Sequence, residues 1–424
     1  MRAGINTGPV LLGGGVDDEG SIRGITVSIA ARMEQTAPDG GLRITHDTYR
    51  HVRGVFDVAE EPAIPVKGMD EPLRSYLVMR AKPRAFRLAR RGVEGIECRM
   101  VGRDAELKRL SDAFEDVIAE NTLSLITIVD AGIGKSRLFD EFYHAVELQS
   151  REVWVFQGRS EMHGKMLPYG VLRDIFFWRF QIADSDTPAE ARRKFSDAMA
   201  ATFGAASDEH AALLGQLIGL DFRTSSFIAG IASDPKQIRD RAFHSAAQYF
   251  KAIASTDPVV LQLEDLHWAD EGSLDLINHL AHACRDFPIL IVCAARPALL
   301  ERRPLWGSGQ GNHERIELAP LPRRSSRELA DTLLQKLQQP YVALRELITG
   351  GAEGNPFYME ELTKMLIDDG VIVVGDETWQ VLPARLARVH VPPTLVGVLQ
   401  ARIDALPPVE KLALQMASVA GHVF

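Results

Sequence analysis

The sequence predicts an α/β protein: a parallel β-sheet with helices on its faces, preceded by a smaller strand-and-helix unit and followed by helices. Three observations predict it. Short β-branched runs recur at Ser124–Val129, Val153–Phe156, Val259–Leu263, Ile289–Cys293 and Arg315–Leu318. Longer stretches of helical spacing separate them, as crossovers between parallel strands require. The first run passes through a glycine turn straight into a helix. The composition, 424 residues with 46% hydrophobic and 25% charged, is that of a globular chain and excludes a disordered or fibrous one.

Taken in order, Met1 to Leu12 reads as a strand and Thr26 to Gln35 as a helix. The Gly40-Gly41 break precedes a strand at Leu42–Thr45, and Asp47 is the expected cap of a short helix. Residues 81–98 carry Arg84, Arg87, Arg90 and Arg91 without clean periodicity, the pattern of a solvated linker. Residues 99–320 hold the five strand-like runs, with a mostly helical insertion at 162–250. Residues 321–380 read as a helical subdomain, and 381–424 as two helices broken at Leu406-Pro407-Pro408. Apolar periodic residues at both ends read as cuts in a longer parent, since loose termini are normally polar.

The charge balance, 48 basic against 57 acidic residues for a net −9, disfavours nucleic acid as a partner of the whole surface. Cys98, Cys284 and Cys293 have no metal-binding spacing and read as reduced thiols of a cytoplasmic protein. No apolar run has the length of a membrane span, and no signal-peptide layout precedes the first strand.

The strongest chemical signal is Ser124-Leu-Ile-Thr-Ile-Val-Asp-Ala-Gly-Ile-Gly-Lys-Ser-Arg-Leu138. Glycines turn backbone N–H groups toward phosphate oxygens, and the helix that follows adds its positive N-terminus. Gly132, Ile133, Gly134, Lys135, Ser136 and Arg137 form the candidate cradle, with Lys135 for the β- and γ-phosphates and Ser136 for Mg²⁺. One residue departs from the pattern: the first glycine position holds Val129, so the loop reads as one residue short. The second signal is Pro258-Val-Val-Leu-Gln-Leu-Glu-Asp265, a buried-strand pattern ending in two carboxylates. Glu264 is placed to hold the metal and Asp265 to orient the attacking water.

Five segments occur in one order: Met100-Val-Gly-Arg-Asp-Ala-Glu-Leu107, the glycine loop, Leu263-Glu-Asp-Leu-His-Trp-Ala-Asp270, Ala294-Ala-Arg-Pro297 and Gly354-Asn-Pro-Phe357. Together they resemble the STAND class of AAA-related signalling NTPases over about residues 99–424. The resemblance implies Gly102 and Arg103 near the adenine and ribose, Arg296 as the sensor of the γ-phosphate, and Pro356 against the base. It also implies the start of a winged helix from Val391 onward. His267 and Trp268 read as packing residues rather than catalytic ones.

At the other end, Arg2-Ala-Gly-Ile-Asn-Thr-Gly-Pro-Val10, Gly24-Ile-Thr-Val-Ser-Ile-Ala-Ala-Arg-Met-Glu34 and Ala37-Pro-Asp-Gly-Gly-Leu-Arg-Ile-Thr45 resemble class III nucleotidyl cyclases. The resemblance covers residues 1–80 and only the C-terminal half of that ferredoxin-like domain. Arg32 stands at the family's transition-state arginine, but Ser28 occupies the asparagine position and Ile25 the base-selecting one. The metal-holding aspartates of the family would lie upstream. Cyclisation requires metal, so the remnant is expected to be inactive alone. Arg32 could still serve a partner subunit, which implies a homodimer through this region. The acidic run Asp17-Asp18-Glu19 suits a solvated hairpin loop better than a metal site.

The sequence therefore predicts a cytoplasmic, ATP- and Mg²⁺-binding signalling module with slow hydrolysis, part of a cyclase–ATPase protein. Three alternatives stand beside it. They are an adenylate cyclase in a longer parent, a transcriptional regulator of the STAND type, and a scaffold that no longer hydrolyses nucleotide because of Val129.

Overall fold

A computed structural model describes the chain except residues 1, 13–21, 53–55, 65–71, 82–92, 94–99, 130–132, 148, 150, 161–167, 184, 340, 376–377, 407 and 421–424. The chain divides into two compact units.

The first unit is built on residues 1–89. Its strands and helices are β1 (Ala3–Ile5), β2 (Leu11–Leu12), β3 (Ile22–Arg23), α1 (Ile25–Thr36), β4 (Leu42–Thr45), α2 (His46–Val52), β5 (Phe56–Ile64) and β6 (Leu73–Ala81). Four strands form a sheet in the order β1-β4-β6-β5, in which β1 runs parallel to β4 and the other pairs are antiparallel. α1 buries Ile29 and Met33, four residues apart on one face. At Gly4 an added Cβ would stand 2.1 Å from the Glu34 amide nitrogen, so only glycine lets β1 lie this close to the helix. Arg43 is buried and satisfied: its guanidinium donates to Ser75 Oγ and to the carbonyls of Thr36 and Pro62.

Two expectations change here. β5 and β6 follow where a second helix was to end the unit, because Asp57, Glu60, Glu61 and Pro62 hide the period-2 pattern. Asp47 lies in the first turn of α2 rather than before it. β2 and β3 pair antiparallel, while Asp17-Asp18-Glu19 between them is outside the described residues.

The second unit opens with α3 (Asp104–Glu120), β7 (Leu123–Val129), α4 (Lys135–Glu147), β8 (Trp154–Arg159), α5 (Gly170–Arg179) and α6 (Pro188–Phe203). Next come α7 (Ser207–Leu217), α8 (Ser226–Ala229), α9 (Pro235–Ala254), β9 (Val259–Glu264), α10 (Glu271–Ala283), β10 (Ile289–Ala295), α11 (Ala298–Arg302) and β11 (His313–Glu317). All five strands are parallel, in the order β11-β7-β10-β9-β8. Leu261, Leu263, Ile289 and Ile291 join a core with α5, α9 and α10. The alternating Val260, Leu290 and Val292 are buried as well, so both faces are covered, as a parallel sheet requires.

Local chemistry starts these helices. Thr187 and Glu190 form a capping box before α6, with Pro188 in its first turn. Asp234 accepts from the amides of Lys236 and Gln237 ahead of α9.

The chain continues through α12 (Arg323–Leu333), α13 (Val342–Ala352), α14 (Pro356–Asp368), the hairpin β12 (Ile372–Val374) and β13 (Trp379–Val381), α15 (Pro383–Leu386), α16 (Leu395–Ala405) and α17 (Pro408–Ala420). α12 buries Ser326, Leu329, Ala330 and Leu333, the i, i+3, i+4, i+7 stripe of a half-buried helix. Leu329, Ala330 and Leu333 share a second core with Leu344, Ile348, Leu362, Trp379 and Val398 of α16. Val93, within the expected linker, is also buried there, while Arg84, Arg87, Arg90 and Arg91 are outside the described residues. The hairpin was not anticipated from the sequence. Burying one such leucine or isoleucine stabilises by about 1.5–3 kcal/mol, enough to hold short helices that would not persist alone.

Candidate nucleotide site

Parallel strands place their carboxyl ends along one edge of a sheet, where open α/β folds bind ligands. β7 delivers the glycine loop to that edge. Val129, at the missing glycine position, is the last residue of β7 and is buried against its neighbours in the sheet. Gly132 lies outside the described residues. Ile133 and Gly134 lead into α4, and Gly134 has φ 109°, a conformation open to glycine but strained for other residues. Lys135 and Ser136 form the first turn of α4, with Lys135 buried.

β9 delivers the carboxylates. The Ser136 hydroxyl donates to Glu264 Oε2 at 2.9 Å, although β10 stands between β7, which leads to Ser136, and β9, which ends in Glu264. A hydroxyl and a carboxylate converging in this way are hard oxygen donors of the kind Mg²⁺ takes, so the residues present fit that ion. Asp265 has φ 56°, in the left-handed region that aspartate tolerates better than most residues. Its Oδ2 accepts from Arg159 Nε at 3.0 Å. Arg159 is the last residue of β8 and stands in register with Glu264. The sequence reading missed it; the signal was a basic residue ending the strand-like run after the glycine loop.

Arg296 follows β10 directly, exposed, and its guanidinium has no partner among the described residues. Arg103 is buried, and its guanidinium is committed to protein. Nη1 donates to Glu106 Oε1 at 3.1 Å, and Nη2 to the carbonyls of Ile133 at 3.2 Å and Ala319 at 2.6 Å. It thus ties the glycine loop to the segment before α12. Gly102, at φ 66°, lies against Ser325, whose Oγ would be 2.5 Å from an added Cβ. Arg137 pairs with Glu141 one turn along α4.

α14 reaches the site with its first turn. Asn355 caps it by accepting from the Tyr358 amide, and a Cβ on Gly134 would be 3.9 Å from Pro356 Cγ. Pro356 therefore faces the glycine loop. The turn after β9 is held from another side: Asp270 accepts from the Ser273 amide at the start of α10 and from the Tyr169 and Gly170 amides at the start of α5. Arg302 of α11 donates to the carbonyls of His267 and Ala269. In the first unit, Ser28 and Arg32 are both exposed on α1, one turn apart.

Comparison with known proteins finds two family matches in the chain. The family model of the AAA ATPase domain matches residues 99–292, and that of the adenylate and guanylate cyclase catalytic domain matches residues 1–80. An uncharacterized protein of Rhizobium meliloti (strain 1021) is 26% identical over 372 residues, covering 80% of this chain and 32% of its own length. The chain thus spans about a third of that curated relative. Among solved structures, the Holliday junction branch migration motor RuvB of Thermotoga maritima covers 68% of either chain at 16% identity and a TM-score of 0.34. The Aeropyrum pernix ORC1 protein in complex with DNA covers 76% of this chain and 73% of its own at 14% identity and a TM-score of 0.41. At these scores the likeness says nothing about substrate or partner. No helix among the described residues is long and apolar enough to cross a membrane. The chain joins a segment of the adenylate and guanylate cyclase catalytic domain family to an AAA ATPase domain.

Proposed function

We propose that the chain is a signalling NTPase module of the STAND type that binds Mg-ATP at the carboxyl edge of its parallel sheet and hydrolyses it slowly. The observation that carries this reading is the Ser136–Glu264 hydrogen bond, which brings the glycine loop and the acidic strand together across β10. Lys135 holds the β- and γ-phosphates, Asp265 orients the attacking water, and Arg296 senses the γ-phosphate. Ser136 and Glu264 would hold Mg²⁺, which neutralises charge on the phosphates when bound. Gly102, Arg103 and Pro356 border the base and ribose side. Arg103 acts there by fixing the loop, since its guanidinium already has protein partners. Pro356 faces the loop, so the nucleotide's state can bias the packing of α14 and the helices after it. The work is done in the cytoplasm, with neither a membrane nor nucleic acid as partner. The segments 1–80, 99–320, 321–380 and 381–424 act as a cyclase remnant, NTPase core, helical subdomain and start of a winged helix.

The cyclase segment makes no cyclic nucleotide by itself on this reading. Arg32 is one exposed cation on α1, and it would complete a site only with a partner subunit.

Both statements are tested on the purified chain. ATP at a hundred times its dissociation constant stabilises the fold by about 2.7 kcal/mol, a melting shift of several degrees. The shift should disappear in Lys135→Ala. Asp265→Asn should keep the shift and lose ADP production, and no cyclic AMP should form with Mg²⁺ or Mn²⁺. An equal shift in wild type and Lys135→Ala would overturn the nucleotide site. Cyclic AMP abolished by Arg32→Ala would overturn the inactive-remnant reading.

A further inference from the structure

His267 lies in the helical turn Leu266–Trp268 between Asp265 and α10. The sequence suggested a packing residue, and the side chain is indeed buried, with 5% of its surface exposed. A histidine buried for packing normally has partners for its ring nitrogens. Here Nδ1 and Nε2 are both buried and both without a hydrogen-bond partner. A buried polar atom left in this way counts against folding, so an orphaned pair on one ring calls for an explanation.

The surroundings supply one. The turn is anchored through its backbone: Arg302 Nη1 donates to the His267 carbonyl at 3.1 Å and Nη2 to the Ala269 carbonyl at 2.7 Å. The indole of Trp268 stands 4.8 Å away, centroid to centroid. Neither contact uses a ring nitrogen. The charges that act on the imidazole are those of Asp265, Arg296, Lys135 and Arg302. Three of these are the groups placed above around the γ-phosphate. Burial above all pushes the ring's pKa down to about 4, with Asp265 acting against it and Arg296, Lys135 and Arg302 acting with it. The imidazole is therefore neutral at pH 7, with one N–H to donate and one lone pair.

We propose that His267 recognises the γ-phosphate, its ring N–H donating to a γ-phosphate oxygen and so making the site distinguish ATP from ADP. The inference rests on the ATP-site reading above. Lys135 and Arg296 bring charge, which attracts any phosphate. A neutral donor adds direction.

The test measures the affinities of Mg-ADP and of a non-hydrolysable Mg-ATP analogue for wild type, His267→Leu, His267→Gln and Lys135→Ala. Wild type should prefer the ATP analogue. His267→Leu should lose about tenfold or more of that affinity, the size of one hydrogen bond to a charged group, and keep its affinity for ADP. His267→Gln retains an N–H donor and should restore part of the preference. The proposal is overturned by a wild type with no preference, by an unchanged ratio in His267→Leu, or by equal weakening of both nucleotides with a lowered melting point. Lys135→Ala separates the two readings. If it loses both nucleotides while His267→Leu keeps the wild-type ratio, the ATP site stands and the role of His267 falls. If wild type binds neither nucleotide, both readings fall.

Discussion

Asp265 and Arg159 show how much one neighbour can govern a candidate catalytic group. The carboxylate that is to orient water is engaged by a guanidinium at 3.0 Å, and the pair is partly exposed. Such a pair is worth at most about 1 kcal/mol, so its loss should leave the fold intact. If the contact restrains Asp265, Arg159→Ala should raise ATP turnover by up to about fivefold, the kinetic equivalent of 1 kcal/mol. Steady-state ADP release would show this, and a fall in turnover would instead make Arg159 an assisting group. The meeting of the glycine loop with the acidic strand end, through Ser136 and Glu264, was legible in the sequence because both motifs stand at the spacing of a phosphate site. Arg159 was not, because its importance depends on which strand lies beside β9. The orphaned nitrogens of His267 were equally hidden, since a sequence does not reveal which buried atoms lack a partner.

Among the elements, α5 and α10 depend on a single side chain. Asp270 accepts from the amides of Ser273, Tyr169 and Gly170 and from the Ser273 hydroxyl. Asp234 caps only α9, with two amides, at an exposed position. A lost cap costs about 0.5–2 kcal/mol, and buried donors left behind add to that. Asp270→Ala should therefore lower stability by about 2–4 kcal/mol, and Asp234→Ala by about 1 kcal/mol. Urea midpoints would rank them, and equal losses would refute the double cap. The strands of the parallel sheet were legible because residues buried on both faces leave continuous apolar runs, as in Ile289–Ala295. β5 and β6 were obscured for the opposite reason, since a strand with a wet face carries charges such as Glu60 and Glu61.

For the whole molecule, four histidines share one tendency. His267, His210, His279 and His313 all have pKa values lowered, chiefly by burial, His267 to about 4. In the unfolded chain each titrates near 6.5. Above that pH neither state is protonated and stability is complete. As pH falls below about 6.5 the unfolded chain takes up protons that the folded one refuses, so stability declines down through the folded-state values. The urea midpoint should be lower at pH 5 than at pH 7.5, and a flat profile between them would refute this. Sheet order was the least legible property, because nothing local records that β10 inserts between β7 and β9.

That insertion sets a timetable for biosynthesis. The glycine loop and the carboxylate pair both emerge from the ribosome before Ile289–Ala295, yet their strands make no ladder with each other and both pair with β10. A nascent chain that has exposed both motifs still has no frame to hold Ser136 beside Glu264. Competence for nucleotide therefore arises only after β10 has been made, and until then the apolar edges of β7 and β9 are open to unwanted pairing.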